Sequence, residues 1–269
     1  MNRSLALLIA LLAASSAHGA TVLRAGDSSE FNVELPRELR QIAGRGQPSP
    51  ITHALVTVAV PTTFDLARAY PVMIISATSD PRYHSSRGLL RAYAEAARTN
   101  GWILLAADPA EEISIDRDDV GLRYMLNAAA LGALASQWPA AGKAPLAFGG
   151  FSGGAKYAGW LAAAFARQGR SIIGIYLAGI NSDTIVSAAE HFDVLNETFR
   201  RVPVFLQSGE QDEIATPADH RDVRDELIRA GFSYVRLEYE AGSHEVDPVP
   251  LRAALDWFRE LAMQSGLSQ

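Results

Sequence analysis

The sequence predicts an α/β protein built on a mostly parallel central sheet with helices on both faces. Three observations carry that expectation. Apolar, strand-like runs alternate with helical stretches from about residue 54 to the C-terminus. Some of those runs are continuous rather than alternating, as strands buried on both faces require. No long insertion interrupts the alternation, so no large lid domain is expected.

Residues 31–35 form a first strand candidate, and a Gly/Pro-rich connection follows at residues 44–50. Residues 54–60 alternate and are β-branched, which predicts a strand that Pro61 ends. Residues 72–77 are a continuous apolar run, read as a buried strand. A helix is predicted over 86–99, stopped by Asn100-Gly101, and a buried strand over 102–107. Residues 120–137 read as a helix, with Leu122, Met125, Leu126, Ala129, Ala133 and Leu134 at helical spacing. Then come a strand at 145–149, a helix at 155–168 that ends at Gly169, and a strand at 172–177. Helical text near 184–192 and 195–200 precedes a strand at 204–207, a helix at 217–230, a strand at 234–239 and a closing helix at 250–262. In such a sheet a site lies at the carboxyl ends of the strands.

The totals narrow the function classes. A chain of 269 residues with 48% hydrophobic and 20% charged residues suits a globular enzyme. There is no cysteine, so disulfides, thiolate nucleophiles and cysteine metal sites are excluded. The N-terminus reads as a signal peptide over residues 1–19. Arg3 is its positive region, residues 5–14 are an apolar core too short to span a bilayer, and Ala17-His18-Gly19 has small residues for cleavage. Cleavage is placed after Gly19, with Ala17 or Ala20 as alternatives, which leaves residues 20–269 as a single domain. Losing Arg3 makes the formal net charge of −6 more negative still. An acidic chain with no basic cluster predicts no nucleic-acid partner and, after cleavage, no membrane partner.

Gly150-Phe151-Ser152-Gly153-Gly154 matches G-x-S-x-G, between a strand and a helix candidate. A serine hydroxyl must be held outward and given a base before it can attack. A sharp strand-to-helix turn with tiny neighbours does the holding. The spacing excludes two rivals. Ala155 intervenes before Lys156 and Tyr157 replaces the hydroxyl a P-loop needs, and no G-x-G-x-x-G passes through these glycines.

A serine nucleophile needs a histidine base and usually a carboxylate, which follow this motif in the order serine, acid, histidine. His244 follows the last strand and is the expected base. His53 precedes a strand, His191 and His220 lie in helical text, and His18 leaves with the leader. His84 follows an earlier strand and breaks the order, so it is read as a rim or substrate contact. Asp212 is the expected acid, with Glu210, Glu213 and Asp183 as competitors. Oxyanion donors are expected from the N–H groups of Gly153 and Thr78, with Ser79 as the alternative to Thr78. Phe151 and Tyr83 are expected on the walls of a shallow substrate pocket. Glu111, Glu112, Asp116, Asp118 and Asp119 lack the ligand pattern of a calcium loop, since Val120 and Asn127 fall where ligands are needed. They read instead as a solvated loop before a helix N-terminus. No metal and no cofactor is expected.

With Gly150-Phe151-Ser152-Gly153-Gly154, Gly209-Glu210-Gln211-Asp212 and Gly242-Ser243-His244 in this order, the chain resembles the α/β-hydrolase superfamily. Within it the chain looks most like the compact dienelactone-hydrolase and polyhydroxyalkanoate-depolymerase-like esterases. It departs from them in having Ser76-Ala77-Thr78 where the family often has His-Gly. The resemblance implies a carboxylesterase-type serine hydrolase acting on a small ester, and the leader implies that it is exported. The alternatives are a non-catalytic binding protein on the same scaffold, or a serine peptidase.

Overall fold

The computed structural model describes residues 23–43, 49–78, 85–111 and 118–264. The expected leader, its cleavage site, Ser79, Tyr83, His84, Glu112 and Asp116 lie outside the described residues.

Among the described residues, eight strands form one sheet. Its first strand, β1 (Ser28–Glu34), pairs antiparallel with β2 (His53–Ala59), and a short helix, α1 (Arg37–Ala43), lies between them in sequence. The expected strand at 31–35 starts three residues earlier because its full length pairs with β2, from Ser28 opposite Ala59 to Glu34 opposite His53. Helix α1 has no counterpart among the expected elements. At seven residues it is too short to show a helical period, and Leu39 buries against the core instead.

The parallel part begins at β3 (Val72–Ser76), every residue of which is buried. Helix α2 (Ser86–Thr99) then leads to β4 (Ile103–Pro109). Strand β4 pairs parallel with β3 and antiparallel with β2. Helix α3 (Val120–Gln137) crosses to β5 (Leu146–Phe151), and α4 (Gly153–Arg167) to β6 (Ile172–Ala178). Two short helices, α5 (Ile185–His191) and α6 (Glu197–Arg200), precede β7 (Val204–Gly209). The chain closes with α7 (Pro217–Arg229), β8 (Val235–Glu240) and α8 (Val249–Gln264). The strand order is β1-β2-β4-β3-β5-β6-β7-β8. Helices α2 and α8 cover one face around Tyr93, Trp102 and Phe258, while α1, α3, α4 and α7 cover the other around Leu126, Phe148 and Leu161. Each parallel strand therefore ends on the same side, where loops from β3, β5, β6, β7 and β8 gather.

The helix starts have local causes. Ser85 accepts the N–H of Gly88 at the head of α2, and Asp119 accepts that of Leu122 at the head of α3. A capping box between Thr216 and Asp219, with Pro217 in the first turn, starts α7 soon after Asp212.

Candidate active site

Strand β5 runs two residues beyond its expected end and α4 begins two residues early, so Ser152 alone makes the turn between them. Its backbone takes φ 56° and ψ −122°, a conformation that costs a non-glycine residue strain and projects the side chain away from strand and helix alike. Its N–H donates to Ala178 O at 2.8 Å, which fastens the turn to the end of β6. The flanking glycines permit the close approach. A methyl group at Gly150 would collide with the Gly154 backbone, and one at Gly154 with Ser76 O. The first N–H groups of α4, Gly153 among them, have no acceptor within the helix and bear its partial positive charge. Thr78, 8% exposed, leans over this point, since a methyl group on Gly153 would come within 2.6 Å of its Oγ1.

Asp212 and His244 meet although they are distant in sequence. Glu210 N–H donates to Glu240 O at 2.8 Å and Gln211 N–H to Gly242 O at 2.9 Å, so the loops after β7 and β8 are tied by backbone. Gly209 allows their contact, because a methyl group there would lie 2.6 Å from Ser243 O. In that frame the Asp212 side chain is 1% exposed and that of His244 12%. His244 Nδ1 lies 2.7 Å from Asp212 Oδ2, while Asp212 Oδ1 accepts the N–H groups of Ile214 and Ala215, both at 2.8 Å. A carboxylate can only accept, so Nδ1 carries the proton and Nε2 the lone pair. The imidazole rests on the Phe151 ring at 4.6 Å and on Gly179, where a methyl group would come within 2.9 Å of His244 Cε1. Phe151 precedes Ser152, and Gly179 follows the residue that accepts the Ser152 N–H. The imidazole is thus held over both chain segments that frame the serine.

The competing residues have other surroundings. Glu210 and Glu213 are exposed. Asp183 accepts the N–H groups of Ile185 and Val186 at the head of α5, and burial pushes its pKa up. His53 and His191 are exposed, the latter edge-on to Trp160. Phe151, expected to line the pocket, is 3% exposed and faces His244 and Gly179.

Of the acidic residues expected in a solvated loop, Asp118 departs from that character. Asp119 caps α3, but the Asp118 side chain is only 6% exposed and takes a fork of bonds from Arg123 Nε and Nη2, both at 2.6 Å. Burial works against the Arg123 charge, and Asp118 and Asp108 more than offset it, so the guanidinium stays cationic. His220 is the second feature the sequence did not single out. It is fully buried, with Nδ1 donating to Thr216 O at 3.0 Å and Nε2 accepting the Ile180 N–H at 3.2 Å. Burial, the largest influence, holds its pKa below the usual value. It links the loop that carries Asp212 to the end of β6. Among the described residues, no group of three or more His, Cys, Asp or Glu is placed to hold a metal ion.

No profile of a known protein family matches the chain, and no curated protein does. Solved structures do. A Xanthomonas campestris α/β serine hydrolase described as lacking a lid aligns with a TM-score of 0.57 at 18% identity, over 89% of this chain and 97% of that one. A cold-adapted esterase from an Arctic intertidal metagenomic library aligns with a TM-score of 0.57 at 14% identity, over 91% and 98%. A Pyrococcus furiosus esterase aligns with a TM-score of 0.57 at 15% identity, over 90% and 98%. The chain has the α/β-hydrolase fold, and no lid domain is found among the described residues.

Proposed function

We propose that this protein is an exported serine hydrolase that cleaves short-chain carboxylic esters through Ser152, His244 and Asp212. The observation that carries the reading is the buried Asp212–His244 pair at 2.7 Å, packed over the strained turn at Ser152. The neighbours' description as esterases and serine hydrolases agrees with it.

In this mechanism His244 Nε2 takes the proton of Ser152 as Oγ attacks the ester carbonyl carbon. The carbonyl π pair moves onto oxygen, and the N–H groups of Gly153 and Thr78 stabilise that oxyanion, a contribution usually worth about 3–4 kcal/mol per donor. As the oxyanion collapses, the C–O bond to the alcohol breaks and His244 returns the proton to the leaving oxygen. Water, deprotonated by the same nitrogen, then attacks the acyl-enzyme, and collapse frees the acid and restores Ser152. Asp212 holds the tautomer throughout and stabilises the imidazolium. Its second oxygen, fixed by two backbone N–H groups, keeps the carboxylate from turning.

The preference for short acyl chains is supported by what lies between β6 and β7. Only α5 and α6 occupy that span, where a cap would have to insert, and neither is long enough to cover an extended alkyl chain. Residues 20–269 are proposed to act as a single domain in the periplasm or outside the cell, without cofactor, nucleic acid or membrane partner. No helix among the described residues is long and apolar enough to cross a membrane.

Capture by a fluorophosphonate probe tests the reading. The wild-type protein should label rapidly at Ser152 and hydrolyse p-nitrophenyl acetate. Ser152→Ala should fold, fail to label and lose about 10⁴-fold or more in turnover. A wild type that does not label, or a Ser152→Ala variant that keeps a tenth of the activity, refutes it.

A further inference from the structure

Arg123 sits in the first turn of α3 with a side chain only 3% exposed, and the mechanism above does not use it. All three nitrogens of its guanidinium are engaged, and an aromatic ring stacks on it. Nε and Nη2 donate to the two oxygens of Asp118. Nη1 donates to Ser86 Oγ at 2.9 Å and lies 3.6 Å from Asp108 Oδ1. The Tyr157 ring stacks 5.3 Å from the guanidinium carbon, and its hydroxyl donates to Asp118 O at 2.7 Å. A buried cation with two carboxylates is weak as a stability device, because desolvation offsets the attraction. Such a cluster is more informative for what it holds in place.

It holds Ala77, just after β3, and the start of α2. Asp108, near the end of β4, accepts the N–H groups of Ser86 at 2.9 Å and Arg87 at 3.0 Å, fixing the start of α2. Ser86 Oγ, turned by Arg123, accepts the N–H of Ala77 at 3.3 Å. Ala77 precedes Thr78, which leans on Gly153 at the head of α4. A chain of contacts thus runs from Arg123 through Ser86 to the peptide beside the expected oxyanion donor. Tyr157, one turn into α4 beyond Ser152, touches the same guanidinium from the other side.

We propose that Arg123, acting through Ser86, is a positioning residue that sets the backbone of Ala77 and Thr78, and so aims the second donor of the oxyanion hole. The inference rests on the serine-hydrolase reading. It makes the hole depend on a side chain that touches neither substrate nor triad. An oxyanion donor contributes only when placed within a few tenths of an ångström of where charge develops, so a loosened loop lowers turnover without altering substrate uptake.

The test compares Ser86→Ala and Arg123→Lys with Ser85→Ala. Ser86→Ala removes the hydroxyl that joins Arg123 to Ala77. Arg123→Lys keeps the charge, but an ammonium cannot make the fork to Asp118 and also reach Ser86. Ser85→Ala deletes the cap of the same helix and a 3.5 Å contact to Asp108, but leaves the Arg123–Ser86–Ala77 bonds in place. Each is measured for kcat and KM on p-nitrophenyl acetate, for inhibition by a trifluoromethyl ketone that forms an oxyanion on Ser152, and for melting temperature. Ser86→Ala should lose about 10- to 100-fold in kcat with KM within about threefold, and weaken the ketone by a similar factor. Ser85→Ala should lower the melting temperature with kcat nearly unchanged. If Arg123→Lys is insoluble, Ser86→Ala decides. An active, probe-labelled wild type whose Ser86→Ala variant keeps its kcat and ketone affinity overturns this inference alone. So does an equal kcat loss in Ser85→Ala, which would reduce the cluster to a structural support. A wild type that neither labels nor turns over ester overturns the serine-hydrolase reading and this inference with it.

Discussion

Replacing Asp212 by Asn removes one charge and swaps one acceptor oxygen for a donor, and the structure says which oxygen. Oδ1 accepts two backbone N–H groups, from Ile214 and Ala215, whereas among the described residues Oδ2 meets only His244 Nδ1. Turning the amide so that NH₂ faces the two backbone donors would forfeit both bonds, at about 2–3 kcal/mol together. That places the productive orientation at roughly one molecule in a hundred. In the rest, NH₂ faces Nδ1, the imidazole proton moves to Nε2, and the ring cannot accept a proton from Ser152. The missing carboxylate, 1% exposed in the wild type, also leaves the transient imidazolium without its buried counter-charge. Together these predict a kcat loss of about 10³- to 10⁴-fold. Stability should change little, because the two Oδ1 bonds survive. Steady-state kinetics on p-nitrophenyl acetate, with thermal melting as the control, makes the comparison. An Asp212→Asn variant that keeps more than a tenth of kcat refutes the reasoning. So does a larger kcat loss in Asp183→Asn, which should lower the melting temperature and leave kcat within a few-fold.

Gly154→Ala should give little soluble protein or none, because its methyl group meets the carbonyl of Ser76 in a central strand; a soluble, active variant would show that the turn can yield. His220 has a lowered folded pKa, so the stability it contributes is present above its unfolded value of about 6.5 and is lost as pH falls below that value through the folded one. The urea midpoint should therefore fall between pH 7.5 and pH 5.5 by more in wild type than in His220→Asn, and equal shifts would dismiss the buried imidazole as the cause. On p-nitrophenyl esters, kcat/KM should peak at short acyl chains with no jump at the micelle threshold; a steady climb to long chains would reveal an apolar groove worth about 0.8 kcal/mol per methylene.

The legible parts of this chain are those set by local rules. Helices α2 and α3 begin and end where capping and periodicity place them, because Ser85 and Asp119 cap their own chain. The G-x-S-x-G turn, Asp212 and His244 fall at strand ends because strand alternation fixes which loops share a side. Strand ends were less legible. β7 continues to Gly209 because β8 pairs with it as far as Glu240, and a partner strand is not visible in a local window. Arg123 and Asp118 were illegible for a related reason. An arginine beside an apolar helical stripe reads as surface until Asp108, Asp118 and Ser86 close around it, and two of those come from other elements. His220 gave only the signal of a histidine in helical text, because its second partner is a backbone N–H forty residues away.

The three proposed catalytic side chains rest on strands of unequal depth. Ser152 leaves β5, which has β3 on one side and β6 on the other, but His244 leaves β8, whose only neighbour among the described residues is β7. Edge elements with a single partner open at lower free energy than central ones. The backbone ties named above attach the His244 loop to the loop after β7. Warming can therefore peel β8 and withdraw the base while the serine turn stays folded. Activity should then be lost reversibly before the protein melts, and deuterium should enter residues 235–246 well before residues 146–151. The temperature limit of the proposed activity would then be set at the border of the sheet rather than in its core.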